Sequence, residues 1–372
     1  MIRNRNFFVV AAQFLLSLLF LSAFAYAGSY QQTNLVSDIP GLAAFTDPNL
    51  VNSWGVAFSP IGPFWVADNG AGVATVYYGN GRPFPKPSTP LVVTVPPPGS
   101  TGTSAPTGLV FNGTSDFVVT KNGASGPGRF LFDTEDGTIS GWNPGVDRTH
   151  AVIAVDNSAP GGADGSAFGA VYKGLALARN GSSNFIYAAN FSDGVVEMYD
   201  ANFNFVKSFT DPSITPDAAT PGFAPFGIRH IGGQLFVTFA MQDADRHDDV
   251  AGAGVGFVDI FSADGDFVRR FATGGTLNSP WGLALAPANF GRFSNALLVG
   301  NFGDGRISAF APTSGSFLGQ LKNNQGQPIS IDGLWTLTFG NGGLAGATNN
   351  LFFAAGINDE GDGLFGRIRA VP

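Results

Sequence analysis

Charge is scarce in this chain of 372 residues, so the places where it gathers stand out. The run Gln242-Asp-Ala-Asp-Arg-His-Asp-Asp249 crowds Asp243, Asp245, His247, Asp248 and Asp249 into seven positions. Carboxylate oxygens at that density suit a hard cation, Ca²⁺ above all. The spacing departs from the EF-hand pattern, and the competing reading is a solvated acidic loop clamped internally by Arg246. A second group is Asp68, Asn190 and Asn301, which close the same type of strand in three places. They would either ring a tunnel mouth and bind a ligand or ion, or simply hydrogen-bond the backbone of their own turns. Ser262-Ala-Asp-Gly-Asp266 looks like a calcium run but has the composition of a β-turn.

Catalytic signals are thin. The histidines are His150, His230 and His247, and the glutamates Glu135, Glu197 and Glu360. No nucleophile elbow, zinc-helix motif or phosphate loop occurs. The chain has no cysteine, which removes thiol catalysis and thiolate metal sites.

The elements that must position these residues are short strands. Asn278 to Leu321 reads as four of them, at 281–286, 296–300, 306–311 and 316–321, with Asn301-Phe-Gly-Asp-Gly305 as the central hairpin. One such unit cannot bury both faces alone, so copies are expected. The first strand recurs as Trp54-Gly-Val-Ala-Phe58, Thr107-Gly-Leu-Val-Phe111, Lys173-Gly-Leu-Ala-Leu177, Phe226-Gly-Ile-Arg-His230, Trp281-Gly-Leu-Ala-Leu285 and Asp332-Gly-Leu-Trp-Thr336. The third strand recurs six times as well, from Gly72-Val-Ala-Thr-Val-Tyr77 to Gly366-Arg-Ile-Arg-Ala-Val371.

Repeats one to five carry a fourth strand, at 91–95, 149–155, 205–209, 267–271 and 317–321. Repeat six has none before Pro372, while Thr33-Asn-Leu-Val-Ser37 stands spare at the other end. A missing strand and a spare one predict an all-β, six-bladed β-propeller whose ring is closed by the N-terminal strand, leaving no exposed edge. Trp54, Trp281 and Trp335 are expected to pack between blades. The loops joining second to third strands share one rim with the entries to the inner strands. The acidic loop of blade four, residues 121–129 of blade two with Asp133, Glu135 and Asp136, and Asn358-Asp-Glu-Gly-Asp362 are assigned to that rim. No glutamate lies near the start of an inner strand in sequence.

Arg3 and Arg5 precede an apolar run over residues 7–24 and Ala25-Tyr-Ala27, which predicts a signal peptide over 1–27 and a single propeller domain over 28–372. Export to the periplasm or medium follows as an expectation. Without that segment, 17 Lys and Arg face 27 Asp and Glu, a poor balance for nucleic acid.

The inner strand, aromatic second strand and Asp-Gly hairpin resemble NHL-type repeats, an NHL/TolB/SMP30-like architecture. Asn34-Leu-Val-Ser-Asp38, Thr46-Asp-Pro-Asn-Leu-Val-Asn-Ser-Trp-Gly55, Val171-Tyr-Lys-Gly-Leu-Ala-Leu177, Tyr187-Ala-Ala-Asn-Phe191 and His247-Asp-Asp-Val-Ala-Gly252 resemble more narrowly an uncharacterised family of secreted bacterial propellers. Some of its members end in a PEP-CTERM tail; no such motif follows Arg369-Ala-Val-Pro372. The resemblance implies a fold and not a reaction. The expectation is a monomeric binding or scaffold module that takes a protein, glycan or small ligand on its loop-rich face. The alternative is a metal-dependent hydrolase or lactonase, as some six-bladed propellers are, with a Glu, Asn and Asp set holding the metal in the tunnel.

Overall fold

The computed structural model describes residues 28–162, 165, 168–214 and 222–371. The predicted signal peptide lies outside the described residues. Six sheets form the blades, five of them antiparallel with four strands and the sixth with a short fifth strand added at its edge. Their inner strands are Ser53–Phe58, Pro106–Phe111, Tyr172–Asn180, Phe223–Ile231, Pro280–Leu285 and Leu334–Phe339. Blade six has three strands of its own and takes its fourth from Ser29–Ser37, antiparallel to Asp362–Val371 with Ser29 opposite Val371 and Ser37 opposite Leu364. The expected closure is therefore present, and Phe45–Thr46 adds a short parallel strand outside it.

The alternation of apolar residues explains the layering. Second and third strands are mostly buried, and Phe64–Asp68 and Phe257–Phe261 wholly so, because each blade is covered on both faces by its neighbours. Outer strands such as Phe205–Phe209 and Phe317–Gln320 are half-buried to exposed. The core is accordingly a series of clusters between blades rather than one central mass.

The inner strands crowd the axis, and the repeat glycine is what lets them. A Cβ on Gly55 would run into the carbonyl of Thr107, one on Gly227 into that of Trp281, and one on Gly282 into that of Trp335. This succession corrects the register of the sixth copy. The equivalent of Trp281-Gly282-Leu283 is Trp335-Thr336-Leu337, three residues beyond the start read from sequence. Thr336 fills the glycine position, and its hydroxyl donates to the Trp54 carbonyl at 2.6 Å. Gly333 is instead a turn residue at φ +58° packed against Gly356.

Two further expectations change. Residues 121–129 do not join second and third strands. They belong largely to an extra hairpin, Val118–Lys121 with Ala124–Pro127, inserted between the first and second strands of blade two. The fourth strand of that blade is Val152–Asp156, so His150 precedes it rather than lying on it.

Candidate functional site

The residue before the repeat glycine, or before Thr336, forms one layer around the axis: Trp54, Thr107, Lys173, Phe226, Trp281 and Trp335. The tryptophans pack between blades five, six and one as expected, and they do so on the inner strands, against one another. Trp54 and Trp335 stack with centroids 3.4 Å apart, Phe302 stacks on Trp335 at 4.0 Å, and Trp281 meets Trp335 edge-on at 5.8 Å.

Lys173 is the charged member of this layer and is 1% exposed. Its Nζ donates to Glu135 Oε1 and, at 3.2 Å, to Asp248 Oδ1. The ammonium lies 5.2 Å from the Trp54 ring centroid and 5.9 Å from that of Phe191. Burial works against the charged ammonium, but Glu135 and then Asp248 outweigh it and hold its pKa above the ordinary lysine value.

Glu135 comes from the turn between the second and third strands of blade two, Phe130–Thr134 and Thr138–Trp142. Its other oxygen accepts from Asn69 Nδ2 at 2.8 Å. Asn69 in turn accepts from Asn52 Nδ2 at 3.2 Å, and Asn52 accepts from Trp54 Nε1 at 2.9 Å. A glutamate thus does reach an inner-strand start. It was invisible in sequence because it arrives from the neighbouring blade's loop.

The blade-four loop supplies the fourth side of the site. Gln242 and Asp249 bridge its base, and Asp243 accepts the His247 amide at 2.9 Å. Arg246 does not clamp the loop internally. It reaches the Ser192 carbonyl of blade three at 3.4 Å and covers the Phe168 ring. The loop is thereby held so that Asp248 meets Lys173, with His247 Nδ1 3.0 Å from the same carboxylate oxygen. The hydrogen bond with His247, then the charge of Lys173, holds Asp248 well below the usual carboxylate range, and Asp248 raises His247.

Two carboxylates beside this pair have spare capacity. Asp249 Oδ2 and Glu360 Oε1 are buried with no hydrogen-bond partner among the described residues. Burial, then the charge of Glu135, pushes Glu360 up to about 7; burial also raises Asp249. One oxygen or nitrogen each from Glu135, His247 and Asp248 lies within 4.8 Å of the others, a spacing a metal ion could bridge. The ammonium of Lys173, however, already sits on two of those three groups.

Of the residues singled out by sequence, His247, Asp248 and Asp249 gather here, while Asp243 braces the loop and Asp245 stays exposed on it. Asp68, Asn190 and Asn301 do not join them. Asp68 accepts from Thr75 at 2.7 Å, Asn190 bonds Asp193 and Glu197, and Asn301 bonds Asp304 and the Thr276 carbonyl. Asn190 and Asn301 also accept the Val171 and Asn278 amides and so tie their turns to the segments entering the inner strands, while one carboxylate oxygen of Asp68 is buried without a partner among the described residues. Glu135 and the loop that carries Glu360 were expected on this rim, though not as site residues, and Lys173 was not singled out. Lys173 alone is charged where the structurally aligned repeats carry aromatics or threonine, but the register read from sequence puts Asp332 at the same position of the sixth copy and hides the contrast.

No protein-family model matches the chain. It is 33% identical over 341 residues to uncharacterized protein R648 of Acanthamoeba polyphaga mimivirus, covering 90% of this chain and 78% of that protein. It is 32% identical over 344 residues to uncharacterized protein L690 of the same virus, covering 90% and 84%. The PQQ-bound aldose sugar dehydrogenase of Streptomyces coelicolor superposes with a TM-score of 0.50 at 11% identity, covering 92% of this chain and 98% of that one. That likeness concerns the six-bladed fold alone. The relatives found are viral, so the bacterial circle suggested by the motifs is too narrow. The chain belongs to one family with the mimivirus proteins R648 and L690.

Proposed function

We propose that this propeller is a binding module that takes a cationic group on its loop-rich face, at the Glu135–Lys173–Asp248 cluster. One observation carries this: Glu135 and Asp248 hold a single ammonium, Asp249 and Glu360 lie close enough to feel its charge, and among the described residues buried oxygens of these last two lack a partner. A second cation, either a divalent ion or a ligand ammonium, would satisfy those oxygens and offset the surplus negative charge. The test is thermal unfolding after EDTA treatment, with and without millimolar Ca²⁺, Mg²⁺, Zn²⁺ or 1,4-diaminobutane. Binding to the native state at a hundredfold excess over Kd adds about 2.7 kcal/mol. We expect a saturable rise in Tm with one of these cations and its loss in Glu360→Gln. No shift with any of them overturns the proposal.

The metal-dependent hydrolase reading rests on the 4.8 Å spacing of Glu135, His247 and Asp248. It requires the ion to displace the Lys173 ammonium. Metal-dependent opening of a simple lactone, strengthened in Lys173→Met, would favour it over simple binding. Export is proposed on the apolar run and Ala25-Tyr-Ala27 alone.

A further inference from the structure

The opposite face holds a site of the reverse charge. Below the aromatic layer the tunnel widens into a chamber of about 240 Å³, roofed by Trp281. Two positions beyond the repeat glycine, or beyond Thr336, the blades present Ala57, Val110, Ala176, Arg229, Ala284 and Thr338. Five are small or uncharged and one is an arginine. Arg229 reaches past blade five to Thr338, where an N–H donates to Oγ1 at 3.2 Å. This is its one side-chain hydrogen bond among the described residues. The chamber walls contain no carboxylate.

A guanidinium has five N–H donors in a planar fork that matches a carboxylate. Here Arg229 lines the chamber, in a setting whose burial lowers the arginine pKa, and no carboxylate stands among the lining residues to offset it. Beside it, His230 Nε2 is buried and without a hydrogen-bond partner among the described residues. Arg229 is part-buried, so a carboxylate that met its remaining donors would form charge-assisted hydrogen bonds in a site with limited access to water. Among the other lining side chains Phe58, Leu177, Leu283, Leu337 and Phe339 are apolar, and Thr336 and Thr338 add polar surface. For scale, an apolar cavity of about 150 Å³ accommodates benzene.

We propose that this chamber binds a small organic monocarboxylate, with Arg229 holding the carboxylate and the apolar walls holding a body somewhat larger than a benzene ring. The ligand enters by the mouth formed by Phe58, Leu285 and Phe339, so binding is independent of the loop-rich face.

Isothermal titration calorimetry with 3-phenylpropionate tests this, with 3-phenylpropanol, 3-phenylpropylamine and inorganic phosphate as comparisons. The expected result is one site for the carboxylate, at least tenfold weaker binding of the alcohol, and none of the amine. Phosphate should also bind at least tenfold more weakly, because it lacks the apolar body. Arg229→Met should weaken 3-phenylpropionate at least tenfold while Asp245→Ala, exposed on the loop-rich face, leaves it unchanged. Equal binding of acid and alcohol, or wild-type affinity in Arg229→Met, overturns the proposal. Should Arg229→Met not fold, the wild-type preference for acid over alcohol and amine decides alone.

Discussion

The ammonium of Lys173 lies 5.2 Å from the centroid of the Trp54 ring, and the two residues are also joined the long way round. Trp54 donates to Asn52, Asn52 to Asn69, Asn69 to Glu135, and Glu135 accepts from Lys173. The loop of five side chains spans blades one, two and three. A cation over a tryptophan face contributes about 0.5–2 kcal/mol, more where water is excluded. Because every member is fixed by the next, the ammonium is held at the tunnel mouth with little freedom, which suits a site that must discriminate charge.

Lys173→Met should be the most damaging single change in this circuit. It leaves Glu135, whose side chain is 12% exposed, without its cation, whereas Asp248 is well exposed and can turn to water. Removing one partner of a buried pair costs about 3–5 kcal/mol. Pairing the change with Glu135→Gln should recover a large part of that loss, giving a favourable coupling in a double-mutant cycle measured by urea unfolding. Additive effects would show that Glu135 and Lys173 are not energetically linked.

Glu360 gives the site a pH dependence of definite sign. Its folded pKa of about 7 exceeds the ordinary glutamate value of 4.5, so between those two pH values the native state binds more protons than the unfolded chain. Its contribution to stability is therefore fully present below about pH 4.5 and declines as pH rises to about 7. Glu360→Gln, which cannot ionise, should unfold at a higher temperature than the parent protein at pH 8 and show little advantage at pH 4.5. An advantage that grows toward acid would contradict this assignment.

The propeller itself was legible because strand signatures repeat and each copy checks the others. The exception is instructive. In blade six the glycine was sought as an identity, and Gly333 was accepted, when the property needed was room beside a neighbouring carbonyl. Thr336 meets that need differently, by turning its hydroxyl to the Trp54 carbonyl. The site was legible only in part. His247, Asp248 and Asp249 sit together in sequence and in space, but Glu135 and Lys173 are 38 residues apart and meet through the side-by-side placement of blades two and three. The local acidic cluster also exaggerated Asp243 and Asp245, since density along the chain does not say which side chains turn inward.

The axis register yields its own test. Gly282→Ala places a methyl group against the Trp335 carbonyl, and the backbone of blade five or six must move. Overpacking of this kind costs about 1–3 kcal/mol. Thr336→Gly at the matching position should lose chiefly its hydrogen bond to Trp54, about 1 kcal/mol, without a clash. Gly333→Ala strains a turn at positive φ and should leave the axis spacing unchanged. If Thr336→Gly proves more destabilising than Gly282→Ala, the assigned register fails.

Closure of the ring makes the last prediction. Tyr30, in the strand that completes blade six, donates its hydroxyl to the Phe290 carbonyl and accepts the Phe293 amide, both at 3.0 Å. Its ring lies parallel to that of Phe293 with centroids 6.0 Å apart. The closing strand is thus tied to blade five as well as to Asp362–Val371. Tyr30→Phe keeps the ring packing and strands the buried Phe293 amide, a loss of about 1–3 kcal/mol. If the ring opens at this seam before it unfolds elsewhere, the loss should appear locally. Amides along Ser29–Ser37 and Asp362–Val371 would exchange faster with deuterium, while those of the second strand of blade three, Ser183–Asn190, keep their protection. Uniform acceleration across all six blades would mean instead that the propeller opens as one cooperative unit, with no weak point at its closure.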